Sequence, residues 1–412
     1  MVLRSTVSSL GALRTALVAL LLFAFASSFS VAQAQVEFES GDWTLSLSGN
    51  VNAHYIYTVC DDDMQTVDGN PLLCSSQDNK NAVANGLLPA NLNVALGTTQ
   101  AGYDIGVHFG FWPGTVANSG VDDFSGIDMR QVFLTFGNEN IGTFKLGRDF
   151  GRFAFDPIIN DISIPGVGPT ALIGSPLNTS LAGIGYGYIY ADRLSQIDYT
   201  TPDVNGFTAS FGVFQPYDLR TLGANSIGGA SGAEAVDTGS RLPGFQTRLH
   251  YAFEGTTNGF VSTTLITQSV DDPSGAADYQ ALGVDGTAKI NVSGFSIMGY
   301  GYYGSGLGTT GLLFDAVDLQ GNERDSYGGL VQLAYSFGDT RIGANGGISI
   351  LDQTENDPDT NLNQSYRITG GVYHSLTPNL QLLFETSFFG SDNFADDSIT
   401  NIGLNAGAFL SF

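Results

Sequence analysis

Residues 400–412 alternate between apolar and polar side chains so strictly that they constrain the fold more than any other segment. One set of alternate positions is entirely apolar: Ile402, Leu404, Ala406, Ala408, Leu410 and Phe412. The intervening positions are mostly polar or small. Successive side chains of a β-strand point to opposite faces, so one face suits hydrocarbon and the other suits water or packed loops. An open sheet cannot stand in lipid, because each unpaired edge N–H or C=O costs several kcal/mol. The segment therefore predicts one strand of a closed membrane barrel.

The same alternation recurs along the chain and predicts sixteen strands. They lie near 43–57, 84–98, 103–111, 128–137, 141–150, 190–200, 206–215, 244–254, 258–269, 279–291, 294–304, 326–337, 339–350, 365–375, 379–390 and 399–412. Seven short turns alternate with eight longer, acidic connections. Short turns at one rim and long loops at the other are typical of bacterial outer-membrane barrels. We therefore predict an all-β fold, a 16-stranded antiparallel transmembrane β-barrel.

The N-terminus predicts a secretory signal peptide over residues 1–34 and a barrel domain over residues 35–412. Arg4 and Arg14 precede an apolar stretch, 16–26, which is followed by the small-x-small sequence of residues 32–34. This order indicates cleavage after Ala34. The apolar stretch has 11 residues, whereas a membrane-spanning helix needs about 20. The alternative is an N-terminal helix anchor.

The charge balance excludes nucleic acid as a partner. Without the two arginines of the predicted signal peptide, the chain has 13 basic and 40 acidic residues, a net charge of −27. Phosphate binding needs basic patches. The acidic residues cluster between the alternating runs, as at 61–63 and 122–123. They form either a solvated crown of loops or sites where divalent cations bridge to anionic lipid headgroups.

Two cysteines, Cys60 and Cys74, enclose a short loop in the first long connection. An oxidising periplasm would join them, and a disulfide around a loop of about 15 residues contributes about 3 kcal/mol in the loop-entropy model. A metal site is the weaker interpretation, because no histidine lies near them. We expect no metal and no cofactor. The bond is expected to cap a peripheral loop while the strand ladders hold the fold.

Strand parity assigns a set of polar and charged side chains to the lumen wall. A charge on the lipid face near mid-membrane costs about 2–4 kcal/mol, so the lumen is the favourable side. The lumen-wall candidates are Asn50, His54, Arg248 and Arg367.

The connection at residues 151–185 differs from the other long loops. It is rich in Ile, Leu, Pro and Gly, and Asp156 and Asp161 are its only acidic residues. A segment this apolar packs against something rather than standing in water. We predict that it folds back into the barrel as a constriction loop, because an open sixteen-stranded barrel would leave a wide aqueous channel.

Residues 130–170 resemble the strand, turn and constriction-loop segment of the trimeric general-diffusion porins of Gram-negative outer membranes. The matching positions are Arg130, 142–144, 147–148, Gly151, Asp161 and Pro165. Residues 193–202 are similar to the next strand of that family, and the terminal Phe412 resembles its assembly signal. The resemblance implies a homotrimer in contact with outer-membrane lipids. It also implies a passive, water-filled channel for small hydrophilic solutes and ions.

The resemblance further implies a pore constriction in which wall bases face loop acids. Arg130 and Arg193 would belong to the wall, with Asp156 and Asp161 opposite them, and Lys145 has lumen parity. The wall has fewer basic residues than the family pattern, because Asn50 follows Gly49 where the family often has lysine. We therefore expect mild cation preference. Strict alternation groups Arg130 with the apolar outward positions, which a neighbouring subunit against this wall would explain.

Three other classes of function remain as alternatives. A substrate-selective porin would bind an anionic or sugar-like solute at the loop and the lumen arginines. A membrane hydrolase would need a nucleophile beside a base, and the four histidines accompany no recognisable nucleophile motif, so we expect no enzyme. A surface adhesin would show no conductance.

Overall fold

The computed structural model describes residues 36–61, 67, 74, 79–113, 127–169, 179–217, 242–271, 278–318 and 320–412. Within these ranges the chain forms eighteen β-strands and one short α-helix. The strands are β1 (Val36–Ser40), β2 (Trp43–Val59), β3 (Lys80–Ala84), β4 (Asn91–Gln100), β5 (Tyr103–Pro113), β6 (Ile127–Asn138), β7 (Gly142–Phe150), β8 (Arg193–Thr200), β9 (Phe207–Phe214), β10 (Gly244–Phe253), β11 (Thr257–Val270), β12 (Tyr279–Val292), β13 (Phe295–Ser305), β14 (Asp325–Phe337), β15 (Thr340–Leu351), β16 (Leu362–Ser375), β17 (Leu380–Asn393) and β18 (Ser398–Ser411). The helix α1 (Phe155–Asn160) lies between β7 and β8. In these ranges no helix has the length and apolar character needed to cross a membrane.

The strands close into a ring with sixteen positions, as predicted. Each strand from β4 to β18 pairs antiparallel with the next, and β18 pairs with β2 to close the barrel. The strands β3 and β4 share one position, because both pair with the same edge of β2. The predicted second strand is therefore interrupted at residues 85–90. The strand β1, which the alternation did not predict, pairs with β2 beyond the end of β18.

The two faces of the wall differ in polarity as the alternation predicted. On β18 the apolar positions point outward, with Ile402 45% exposed. The intervening Asn401 and Asn405 are only 2% and 3% exposed, because they face the packed interior. A closed ring leaves no strand edge unpaired, which is the condition for standing in hydrocarbon.

A β-bulge places Arg130 differently from strict alternation. Gly110 of β5 pairs with Gln131 of β6, but the next residue, Phe111, pairs with Met129, so Arg130 is the extra residue. A bulge re-aims the side chain of the inserted residue. The Arg130 guanidinium lies 5.5 Å from the ring centroid of the inward-facing Trp112. The bulge explains the irregular parity without any neighbouring subunit.

The predicted disulfide is present, but it is not peripheral. Cys60 and Cys74 are bonded, and both are buried. They pack in one apolar cluster with Tyr186, Leu362 and Phe389. The two bonded cysteines therefore lie in a packed apolar cluster rather than in open solvent.

Candidate functional site in the barrel lumen

The connection between β7 and β8, residues 151–192, is called here the inward loop. Its described parts, 151–169 and 179–192, contact side chains at inward-facing positions of β8, β10, β12, β14, β16 and β17. These strands extend far around the ring from β7. A loop that touches the inward faces of so many strands crosses the lumen, as the apolar composition predicted.

Two buried ion pairs fix the inward loop to the wall. The Asp156 carboxylate accepts hydrogen bonds from Arg248 Nη2 at 2.7 Å and Nε at 3.0 Å, and from Ser262 Oγ at 2.6 Å. Asp161 binds Arg367 Nη2 at 2.6 Å, and neither of these two side chains has any exposed surface. Both loop acids are therefore neutralised by arginines of the distant wall.

The Asp161 carboxylate also accepts three other hydrogen bonds. Tyr188 Oη and Asn345 Nδ2 each donate at 2.7 Å, and the backbone N–H of Ser163 donates at 2.9 Å. Burial alone would raise the pKa of Asp161, but the Arg367 charge and the hydrogen bonds hold the pKa below its ordinary value. Asp161 is thus an ionised anchor rather than a group that faces water.

Carboxylates on the wall hold the first turn of the inward loop. Arg152 donates to Asp198 of β8 through Nε at 3.0 Å and Nη2 at 2.6 Å. Asp285 of β12 accepts the backbone N–H of Ala154 at 2.7 Å. These contacts satisfy polar groups that burial would otherwise make costly.

Two further wall residues hold the middle of the loop. Gln332 of β14 accepts the N–H of Ile162 at 2.7 Å. Glu385 of β17 accepts the N–H groups of Val167 and Gly168 at 2.8 and 2.9 Å. Strand parity places Glu385 in the lumen but gives it no partner. Parity identifies which polar residues point inward, but it does not show which loop residue each one meets.

The inward loop ends its crossing at the interruption between β3 and β4. The N–H of Leu87 donates to the carbonyl of Gly166 at 2.9 Å, and the N–H of Ser180 donates to the carbonyl of Gly86 at 3.0 Å. Asn52 of β2 accepts the N–H of Gly86 at 2.9 Å. The wall strand is broken here so that its backbone can bind the loop instead of completing the ladder.

A second group of side chains, the arginine–aromatic wall, lies on β5 to β8 and at the end of the inward loop. It consists of Trp112, Arg130, Phe150, Tyr190 and Arg193. The Arg193 guanidinium lies 4.2 Å from the ring centroid of Phe150, 5.2 Å from that of Trp112 and 5.6 Å from that of Tyr190. It donates to Tyr190 Oη. The Arg130 guanidinium also lies near the Trp112 ring, and it binds the Asp128 carboxylate at 2.7 Å.

The structure brings Arg130 and Arg193 together beside Trp112. The ion pairs of Asp156 and Asp161 are made with Arg248 and Arg367, on strands that the sequence did not indicate. Alternation along a strand fixes the face of a side chain but not the position around the ring that a 42-residue connection, 151–192, will reach. That is why the partner strands were missed.

The remaining candidates lie on the inward face. Lys145 binds Asp149 and lies 5.6 Å from the ring centroid of Phe133. Asn50 and His54 are both buried on β2. Neither contacts a loop acid within the described part of the chain.

A closed barrel with an apolar outer face and a loop bonded across its lumen is the architecture of an outer-membrane channel. Among solved structures, the outer-membrane channel DcaP of Acinetobacter baumannii is similar at a TM-score of 0.70 and 15% identity, over 91% of this chain and 99% of that one. An anion-selective porin from Comamonas acidovorans is similar at a TM-score of 0.61 and 15% identity, over 90% of this chain and 100% of that one. OmpT of Vibrio cholerae, in a trimer form, is similar at a TM-score of 0.51 and 14% identity, over 90% of this chain and 100% of that one. At these identities the similarity concerns the fold.

The family is shown by sequence. A family model described as Gram-negative porin matches residues 16–393, and the chain therefore belongs to the Gram-negative porin family. No relative among curated proteins matches the chain. The protein is a passive diffusion channel of the outer membrane, and its fold and family are those of a channel rather than an enzyme.

Proposed function

We propose that this porin is a weakly selective channel for small hydrophilic solutes and ions, and that its preference is set beside the arginine–aromatic wall. The observation that carries the proposal is the pairing of the loop acids. Asp156 and Asp161 are each consumed in a buried ion pair, so they do not present negative charge to a solute.

The arginine–aromatic wall supports this assignment because its charges are differently arranged. Arg193 is paired with a tyrosine hydroxyl and aromatic rings instead of a carboxylate. Arg130 shares Trp112 with it and is paired with Asp128, which is partly exposed. Charges in a narrow passage act over about 8 Å at physiological salt, which is comparable to a pore radius. The two arginines therefore oppose the acidic character of the whole chain and keep the cation preference mild.

Replacing Arg193 with glutamine is expected to move the reversal potential under a salt gradient toward cations. The physical reason is the loss of a positive charge where the passage is narrow. Arg341 is the matched control, because it faces inward at the short-turn end of β15 and binds no carboxylate among the residues that the structure describes. Equal shifts in Arg193→Gln and Arg341→Gln would contradict the assignment.

A substrate-selective porin is the second candidate, and one observation favours it. Arg193, which is 7% exposed, places its guanidinium among three aromatic rings and binds no carboxylate within the described part of the chain. Such a surface suits a small organic anion that stacks while its charge is bound. Block of the wild-type current by submillimolar organic anions, but not by neutral sugars, would favour this candidate.

We also propose that the protein is exported by a signal peptide that is cleaved after Ala34, and that it forms a homotrimer. The support is the family and the trimer form of V. cholerae OmpT. In this chain, apolar residues such as Val132 and Leu134 of β6 cover the outward face of an early strand, and Arg148 of β7 is exposed beside them.

The unheated protein is expected to migrate on a detergent gel as a large species that heating converts to monomers. A trimer interface of barrel walls persists in detergent because its outer faces are apolar. Light scattering in mild detergent checks the mass. A folded monomer in both measurements would contradict the homotrimer.

A further inference from the structure

The connection between β13 and β14, residues 306–324, is a second inward segment, called here the second inward loop. Its acidic residues suggested a solvated external loop. Instead, five of its apolar side chains are no more than 4% exposed: Leu307, Leu312, Leu313, Ala316 and Val317. They belong to the same apolar cluster as Ile184 and Ile189 of the inward loop. A loop buried this thoroughly has a packing role beyond joining two strands.

The two loops meet over glycines on the inward face of the wall. A Cβ added to Gly304 would lie 2.8 Å from Leu307 Cβ, and one added to Gly283 would lie 2.6 Å from Leu307 Cδ2 and 2.9 Å from the ring of Phe153. Phe153 belongs to the inward loop. The N–H of Tyr190, also in the inward loop, donates to the carbonyl of Thr310 at 2.8 Å. Small residues on β12 and β13 thus make room for both loops against the same stretch of wall.

One arginine fixes the second inward loop in its folded shape. Arg324 Nη1 donates to the carbonyls of Asp315 and Val317 at 3.1 and 2.8 Å. Its Nε donates to Asp357, in the connection between β15 and β16, at 2.9 Å. Leu313 has a φ of +67°, a conformation that a leucine keeps only where surrounding contacts impose it.

We propose that the second inward loop is a size-determining element of the channel. It fills the lumen beside β11 to β13, so that solutes pass on the side of the arginine–aromatic wall and only below a size limit. The apolar packing shared by the two loops occupies this part of the lumen in place of a hydrated solute. This inference rests on the proposed position of the passage, and it adds a determinant that the inward loop alone would not supply.

The test compares Gly304→Val with Gly299→Val on the same strand. Gly299 points outward, and a Cβ there meets nothing within 4 Å. Valine at 304 pushes Leu307 away from the wall and toward the passage, so single-channel conductance is expected to fall by about 1.5-fold, because current increases with the open cross-section. Sugars close to the size limit of the wild type should then enter proteoliposomes more slowly in a swelling assay. Gly299→Val should leave both measurements unchanged.

Arg324→Gln tests the same loop in the opposite direction: it removes the link to Asp357 without adding bulk, so conductance and size limit are expected to rise. It decides the matter if Gly304→Val does not assemble. Wild-type conductance and size limit in folded Arg324→Gln, and in Gly304→Val where it folds, would overturn this inference. Failure of the proposed passage is distinguishable, because Arg193→Gln would then leave the reversal potential unchanged.

Discussion

Replacing Arg367 with methionine is expected to release the middle of the inward loop from the wall. The Asp161 carboxylate would remain in a site without exposed surface after losing its cation. Removing one partner of a buried ion pair costs about 3–5 kcal/mol, because the other charge is left uncompensated. The current should become noisier, and the folded form should convert to the unfolded gel mobility at a lower temperature.

The double variant Asp161→Asn/Arg367→Met separates the ion pair from simple loss of a side chain. It removes both charges, so it should recover most of the lost thermal stability. Arg341→Met is the control for removal of an inward-facing arginine without a carboxylate partner. An Arg367→Met protein as quiet and as heat-resistant as the wild type would show that this pair does not anchor the loop.

The anchor has a predictable dependence on pH. Asp161 titrates below its ordinary pKa in the folded protein, so its contribution to stability is present above the ordinary range and is lost only as the pH falls through the lowered value. Wild-type channels should therefore keep a quiet current at mildly acidic pH.

The barrel could be predicted from the sequence because lipid imposes a simple rule on every strand. Residues such as Ile402 and Asn401 must face opposite sides, and a closed ring is the only sheet that leaves no polar edge in hydrocarbon. The inward loop could also be predicted, since its apolar composition has no stable place in water. These conclusions depend on local pattern alone.

The contacts inside the barrel could not be predicted in the same way. Asp161 meets Arg367, which is 206 residues further along the chain, and only the path of the loop across the lumen decides that pairing. The family resemblance placed Arg130 in the lumen against strict alternation, and a single inserted residue accounts for its parity. The second inward loop was not predicted. Its acidic residues indicated a solvated connection, although Leu307, Leu312 and Leu313 lie in the same segment.

Adding a single methyl group at Gly86 is expected to disturb the inward loop where Gly166 and Ser180 contact the break between β3 and β4. A Cβ there would lie 1.9 Å from the carbonyl oxygen of Gly166 and 2.7 Å from its carbon. Both atoms are backbone, so the loop itself must move. Overpacking costs about 1–3 kcal/mol. The hydrogen bonds that link residues 86–87 to Gly166 and Ser180 would also be strained, at about 1 kcal/mol each.

Gly86→Ala should therefore detach the loop from the break between β3 and β4 and widen the passage beside it. Single-channel conductance and the size limit for neutral sugars should both rise, while the barrel stays closed because β2 pairs independently with β4 and β18. Gly403→Ala is the matched control, since it adds the same methyl group to an inward-facing glycine of β18 whose nearest contacts are 3.6 and 3.8 Å away. If Gly86→Ala conducted like Gly403→Ala, the contact at the broken strand would be incidental to the pore. The ion pairs with Arg248 and Arg367 would then suffice to hold the inward loop.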